Sequence, residues 1–258
     1  MAATSSPQEK SAKGDAAMAT IAVYSLKGGV GKTTLAANLA WCAATLSARR
    51  TLLWDLDPQA ASTYLLGTGH GHGDAQAVFA RDVAPEKLVQ PTAIERLSLL
   101  PADLSLRGLD RFFFGLGKKK RMAKLIDGLA RHYDRIILDC PPGLTETADQ
   151  AMRAASLILV PVIPSPLSRR ALDDVVTHLS REHGRHAPIL PVFTMVDRRR
   201  SLHQAALAEQ PDWPVVPMAS AVEAMAARRE PVGAFAPRSP AGEAFALLWR
   251  GIERRLAR

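Results

Sequence analysis

The sequence predicts an α/β fold, a mostly parallel twisted sheet with helices on both of its faces. Short apolar runs alternate with longer stretches of helical pattern, as strands joined by crossover helices do. The runs are rich in Leu, Ile and Val with little polar alternation, which suits strands covered on both faces. Prolines stand at the joints between them: Pro58, Pro141, Pro142, Pro161, Pro164, Pro214 and Pro217.

The elements follow in order. A strand is expected over residues 21–25, then a glycine-rich turn, then a helix over 33–47 with Leu35, Ala36, Leu39 and Ala40 on its apolar positions. The strand at 51–55 stops before Pro58, and another is expected at 97–100. A helix over 119–132 leads to the strand at 135–139, which Pro141 and Pro142 close. A helix at 146–154, a strand at 157–162, a helix at 168–180 and a strand at 189–194 repeat the alternation. A helix at 202–208, a strand at 214–217 and helices at 219–227 and 241–256 complete it. No internal repeat and no second-domain boundary interrupt the pattern, so residues 18–258 read as one domain behind a disordered tail at 1–17. That tail is small, polar and poor in apolar residues, unlike a secretion signal.

Composition narrows the function classes. At 258 residues with 47% hydrophobic and 22% charged residues, the chain has the balance of a soluble domain. No apolar run of about eighteen residues occurs, so no integral membrane association is expected. Cys42 and Cys140 are the only cysteines, without the paired spacing of a disulfide framework or a zinc site, and they fit a reducing cytoplasm. His70 and His72 lie in a Gly-rich loop with too few neighbouring ligands for a metal. The net charge of +8 and pI near 9.9 favour a polyanionic partner, nucleic acid or an anionic membrane surface. The basic run 118–121 reads as a solvated helix start.

The most informative segment is YSLKGGVGKTTLAAN, residues 24–38. Gly28, Gly29 and Gly31 can adopt backbone angles closed to other residues, turning the loop amides inward around phosphate oxygens. The helix opening at Thr33 adds free N–H groups and a favourable dipole end. Lys32 brings a cation to the β- and γ-phosphates, and the Thr33 hydroxyl is placed to ligate Mg²⁺. The general phosphate-loop pattern wants a glycine where Leu26 stands. Lys27, directly before the glycines, stands out instead.

KGGVGKTT resembles the deviant Walker A motif of the ParA/MinD/Soj family of P-loop ATPases, which tolerates the residue at Leu26. The resemblance implies a P-loop NTPase fold of the deviant type that binds ATP and Mg²⁺. Its ATP-binding residues would be Lys27, Gly28, Gly29, Val30, Gly31, Lys32, Thr33 and Thr34. Lys27 would reach across a homodimer into the partner's sandwiched nucleotide, where positive charge stabilises the transition state. DLDPQ resembles the first switch segment, with Asp57 orienting the attacking water and Asp55 supporting Mg²⁺. ILDCPPGLTET resembles the Walker B and second switch segments, with Asp139 in the Mg²⁺ shell beside Thr33 and Gly143 as the hinge that senses the γ-phosphate. The resemblance runs on through LILVPVIPSPLSRRAL, FTMVDRR and FAPRSPAGEAF, and places the adenine near Met195 and Pro217.

The output of such a switch has to be argued separately. Residues 198–258 hold ten arginines, no lysine and six acids, a net charge of +4. Arg198, Arg199, Arg228, Arg229, Arg238, Arg250 and Arg254 are the candidates for non-specific DNA contact in a ParA-like, nucleoid-associated protein that positions a cargo with an activator or adaptor. Met218 and Pro240 stand where relatives often carry basic residues. The alternative is a MinD-like membrane switch. Its terminal amphipathic helix would be 244–256, but Phe245, Leu248, Trp249, Ile252 and Leu256 read better as core packing. Redox enzymes of this fold are disfavoured by the placement of the two cysteines, and metabolic ligases of this fold by Lys27, a lysine they generally lack.

Overall fold

The computed structural model describes residues 17–67, 75–80, 83–116, 120–182 and 184–257. Residues 1–16 of the expected tail, together with His70, His72 and Lys118, lie outside them. Among the described residues, eight strands form one sheet: β1 (Ala19–Val23), β2 (Thr51–Asp55), β3 (Gln90–Pro91), β4 (Leu97–Leu100), β5 (Arg135–Asp139), β6 (Leu157–Val162), β7 (Ile189–Val196) and β8 (Val215–Pro217). Their spatial order is β3-β4-β2-β5-β1-β6-β7-β8. Every pairing is parallel except that of the short edge strand β3 with β4.

The helices are α1 (Lys32–Leu46), α2 (Ala61–Leu66), α3 (Ala77–Ala80), α4 (Leu109–Leu116), α5 (Arg121–Leu129), α6 (Glu146–Ala154), α7 (Pro166–Glu182), α8 (Ser201–Glu209), α9 (Ser220–Arg228), α10 (Val232–Phe235) and α11 (Pro240–Leu256). Each expected strand and helix is present, the first strand starting and ending two residues earlier than the sequence pattern suggested. The short β3, α2, α3, α4 and α10 were not expected. A helix of one or two turns has too few apolar repeats to stand out as a periodicity, and its stability comes from packing.

Neighbouring residues of β1, β2, β5 and β6 feed two separate cores. Ala22, Leu52, Trp54, Ile136, Leu138 and Ile158 pack in one, while Ile21, Val23, Leu53, Ile137, Leu157 and Leu159 pack in the other. The pleat sends successive side chains to opposite faces, and here both faces are apolar. Helix α1 is buried along Leu35, Ala36, Ala37, Leu39, Ala40, Ala43 and Ala44, as a helix apolar on most sides must be. Helix α11 lies against it. Phe245, Leu248, Trp249 and Ile252 are buried there, so the apolar face of the last long helix is spent on the core.

Helix ends follow local chemistry. Ser239 accepts from the Gly242 amide to cap α11, with Pro240 in its first turn. Thr145 does the same for α6 through the Ala148 amide, with Glu146 and Asp149 at the positive end of the dipole. At the far end of α11, Glu253 accepts from the buried guanidinium of Arg135 at 2.7 Å and from Arg49 at 3.4 Å. Arg135 opens β5, so the carboxyl end of α11 is anchored at the amino edge of the sheet. No helix among the described residues is long and apolar enough to cross a membrane.

Candidate nucleotide-binding site

Parallel strands bring their carboxyl ends to one edge, and the sequence-predicted residues meet there. The loop after β1 carries Lys27 half-buried and Gly28 and Gly29 exposed. A Cβ at Gly28 or Gly29 would meet nothing within 4 Å, so the loop faces open space. Gly29 and Gly31 have φ of 71° and 91°, conformations that a side chain disfavours. Gly31 precedes α1 directly, so the free amides of the first turn face the loop. Lys32 curls back over it, its Nζ donating to the Lys27 carbonyl at 3.3 Å. Burial of Lys32 lowers its pKa, and the nearby Asp139 and Asp57 carboxylates oppose that shift. From the other side, the Thr194 hydroxyl donates to the Val30 carbonyl at 2.9 Å and ties the loop to β7.

Asp55 and Asp139 are register partners at the ends of β2 and β5, and both are fully buried. Burial raises both carboxyl pKa values, and their mutual repulsion raises that of Asp55 further. The two are held differently. Asp55 accepts from the Thr63 amide and hydroxyl, each at 2.8 Å, and from the Asp57 amide at 3.1 Å. The Thr63 hydroxyl in turn accepts from the Ala102 amide at 2.9 Å. Asp55 therefore organises the loop to α2 with most of its acceptor capacity already engaged. Asp139 accepts from the Ser62 hydroxyl at 2.8 Å, and its other oxygen, Oδ1, has no hydrogen-bond partner among the described residues. The Thr33 hydroxyl lowers the Asp139 pKa, as does the charge of Lys32. An unpartnered buried carboxylate oxygen beside a hydroxyl is the donor set a hard divalent cation takes, so these residues fit Mg²⁺.

Asp57 lies half-buried in the turn between β2 and α2, accepting from the Gln59 amide at 2.9 Å. Gly143, with φ of 85°, stands between β5 and α6. Its carbonyl accepts from the Tyr24 hydroxyl at 2.9 Å. A cavity of about 160 Å³ next to the loop is lined by Gly31, Thr34, Thr194, Met195, Pro217 and Glu223, among others. Met195 has φ of 54°, at an irregularity in the pairing of β7 with β8. Both residues expected near a base, Met195 and Pro217, thus line one pocket beside the phosphate loop. Ser62 and Tyr24 were assigned no role from the sequence, because each acts through a single hydroxyl whose partner is distant in the chain, Asp139 for Ser62 and Gly143 for Tyr24. Thr63 serves Asp55 through both its amide and its hydroxyl.

The arginines do not gather so simply. Arg198 and Arg199 follow the carboxyl end of β7, while Arg254 adjoins Glu253 at the amino edge. Arg198, Arg238, Arg250 and Arg254 are exposed. Arg199 is engaged with Asp197 at 2.9 Å. Arg228 lies over the Phe235 ring. Arg229 donates to the Tyr64 and Gly67 carbonyls at 2.8 and 2.6 Å. Cys42 and Cys140 are buried in the two different cores, and no group of three metal-ligating side chains occurs among the described residues.

Comparisons with known proteins identify the family. A family model described as an AAA domain matches residues 18–190. The sequence is 32% identical over 147 residues to the sporulation initiation inhibitor protein Soj of Bacillus subtilis, covering 55% of this chain and 57% of Soj. It is 32% identical over 189 residues to the virulence plasmid ParA family protein pGP5-D of Chlamydia psittaci, covering 71% of this chain and 72% of that one. The chain spans about half the length of several curated relatives that it matches, Soj among them. Among solved structures, an ATP complex of Cyanothece McdA matches with a TM-score of 0.78 at 20% identity, covering 93% of this chain and 96% of that one. That likeness shows a shared fold.

Proposed function

We propose that this chain, which belongs to the AAA-domain family together with the ParA partition proteins, is an ATP-dependent switch that pairs around its nucleotide, binds DNA without sequence preference and positions a cargo. The observation that carries this reading is the open glycine loop, which holds Lys32 over its own backbone and presents Lys27 beside exposed Gly28 and Gly29. A loop built only to hold phosphate has no use for a second lysine next to an uncovered surface. A second protomer covering that surface gives Lys27 a nucleotide to reach.

The residues divide the work. Loop amides and the first turn of α1 take the phosphate oxygens, and Lys32 neutralises charge at the β- and γ-positions. Thr33 and Asp139 would hold Mg²⁺, which supplies charge neutralisation between the β- and γ-phosphates, with Asp55 fixing the loop around them. Asp57 orients the water that displaces ADP and leaves inorganic phosphate. Met195, Pro217 and their neighbours shape the base pocket. Turnover is weak in the isolated chain and rises with an activator or cargo adaptor, so hydrolysis acts as a release signal. DNA is contacted through the exposed arginines Arg198, Arg238, Arg250 and Arg254. Localisation in the cytoplasm on the nucleoid follows from this reading.

Burial of Phe245, Leu248, Trp249 and Ile252 disfavours α11 as a membrane anchor. The deciding experiment is binding to random-sequence duplex DNA at moderate salt, with ATP-Mg²⁺ against ADP-Mg²⁺. Binding with ATP alone supports the reading. Binding in neither state removes DNA as the matrix and leaves the nucleotide site to be tested by ATP turnover.

A further inference from the structure

The phenol of Tyr24 is buried at the start of the phosphate loop. Tyr24 directly follows β1 and is fully buried, packed in the core that also holds Cys140 and Ala148. Its backbone amide donates to the Leu159 carbonyl at 2.9 Å, which continues the sheet. Its hydroxyl donates at 2.9 Å to the carbonyl of Gly143, 119 residues away in sequence. One side chain therefore joins the start of the phosphate loop to the loop between β5 and α6.

We propose that Tyr24 is a positioning residue for that second loop, its hydroxyl holding the Gly143 carbonyl inward so that the following N–H faces the nucleotide. This inference rests on the nucleotide-switch reading above. In a trans peptide the C=O and the next N–H point in opposite directions. A Gly143 carbonyl turned toward the core therefore turns the Leu144 N–H away from it, and Leu144 itself is 61% exposed. The Thr145 amide donates to the same carbonyl at 3.1 Å, and the Thr145 hydroxyl caps α6. The two bonds join the Gly143 carbonyl to the start of α6 and to the buried phenol of Tyr24.

Gly143, at φ of 85°, sits where glycine rotates with least steric penalty, so the loop is free to change state unless something holds it. The phenol supplies that hold. If the peptide turns, the buried hydroxyl loses this partner, so the loop state that keeps the bond is favoured. Phosphate binding by the glycine loop itself uses backbone and Lys32, and gains nothing from the phenol. The expected consequence is selective: Tyr24 favours the loop state that accepts a γ-phosphate and leaves binding of ADP alone.

The test uses the full chain with Tyr24→Phe, which keeps the ring in the core and removes only the hydroxyl. Binding of a fluorescent non-hydrolysable ATP analogue and of fluorescent ADP is measured with Mg²⁺ for both proteins. The analogue is expected to bind roughly 3- to 10-fold more weakly to the variant, with ADP affinity changed by less than about 2-fold, the scale of one lost hydrogen bond. An equal loss for both nucleotides, or no loss in a protein whose wild type separates them, overturns the inference and leaves the switch reading standing. A wild type that binds both nucleotides alike removes the sensing role of Gly143, and the inference falls with it. Should the variant not fold, hydrogen exchange at the Leu144 and Thr145 amides of the wild type decides instead. Slower exchange with the analogue than with ADP supports the proposal, and equal exchange overturns it.

Discussion

Arg229 grips the end of α2, its guanidinium donating to the Tyr64 and Gly67 carbonyls while stacking 5.2 Å over the Tyr64 ring. It does so from φ of 55°, the left-handed residue that ends α9. The contact links the helix beside the base pocket to the helix after Asp57, and it satisfies carbonyls that a helix end leaves free.

Two substitutions separate the grip from the backbone. Arg229→Ala is expected to lose about 1 kcal/mol, since it drops two charge-assisted bonds at a partly exposed site. Arg229→Gly loses the same bonds but relieves the left-handed strain, so it should lie about 1 kcal/mol above the alanine variant. Urea midpoints at neutral pH give the comparison. Equal stabilities would mean that the backbone at 229 carries no strain.

Lys27 half-buried beside exposed glycines predicts a requirement in pairing rather than in folding. Lys27→Ala should keep the wild-type melting temperature and remain a monomer in sizing chromatography with ATP-Mg²⁺. A stable ATP dimer of that variant would remove the trans role.

Asp57 stands in the turn after β2 without a share in the Asp55 side-chain network beyond its own amide. Asp57→Ala should bind ATP, pair, and stay paired, with phosphate release reduced by about 100-fold, the scale on which a water-positioning group contributes. Turnover at the wild-type rate would end the assignment.

Arg50 donates to both oxygens of Asp134, at 2.7 and 3.4 Å, and the Arg50 amide adds a bond at 2.8 Å. The Arg50 side-chain bonds hold the Asp134 carboxyl below its ordinary range. A depressed folded pKa adds stability above the unfolded pKa and loses it as pH falls through the folded value. The pair is largely solvated, so Asp134→Asn should lose only about 0.5 kcal/mol at pH 7. Denaturant midpoints of variant and wild type should converge in acid. A gap that persists at acid pH would assign the loss to packing rather than charge.

The strand and helix series, the glycine loop with Lys27 and Lys32, and the strand-end carboxylates Asp55, Asp57 and Asp139 were all readable from the chain. Each is a local pattern: an apolar run, a glycine spacing, an acid at the end of a run. Parallel topology then does the rest, because consecutive strands must present their carboxyl ends at one edge. Tertiary structure alone decided how the two buried carboxylates differ. Asp55 is taken up by Thr63 and the Asp57 amide, while Oδ1 of Asp139 has no hydrogen-bond partner among the described residues. In sequence both are acids that end apolar strands, and the resemblance gives both of them to Mg²⁺. It also decided that Arg229 serves α2, that α1 is the helix the apolar face of α11 packs on, and that the Tyr24 phenol reaches Gly143. A hydrogen bond between residues far apart in the chain leaves no periodicity and no spacing behind, so only the folded packing of the two segments can reveal it.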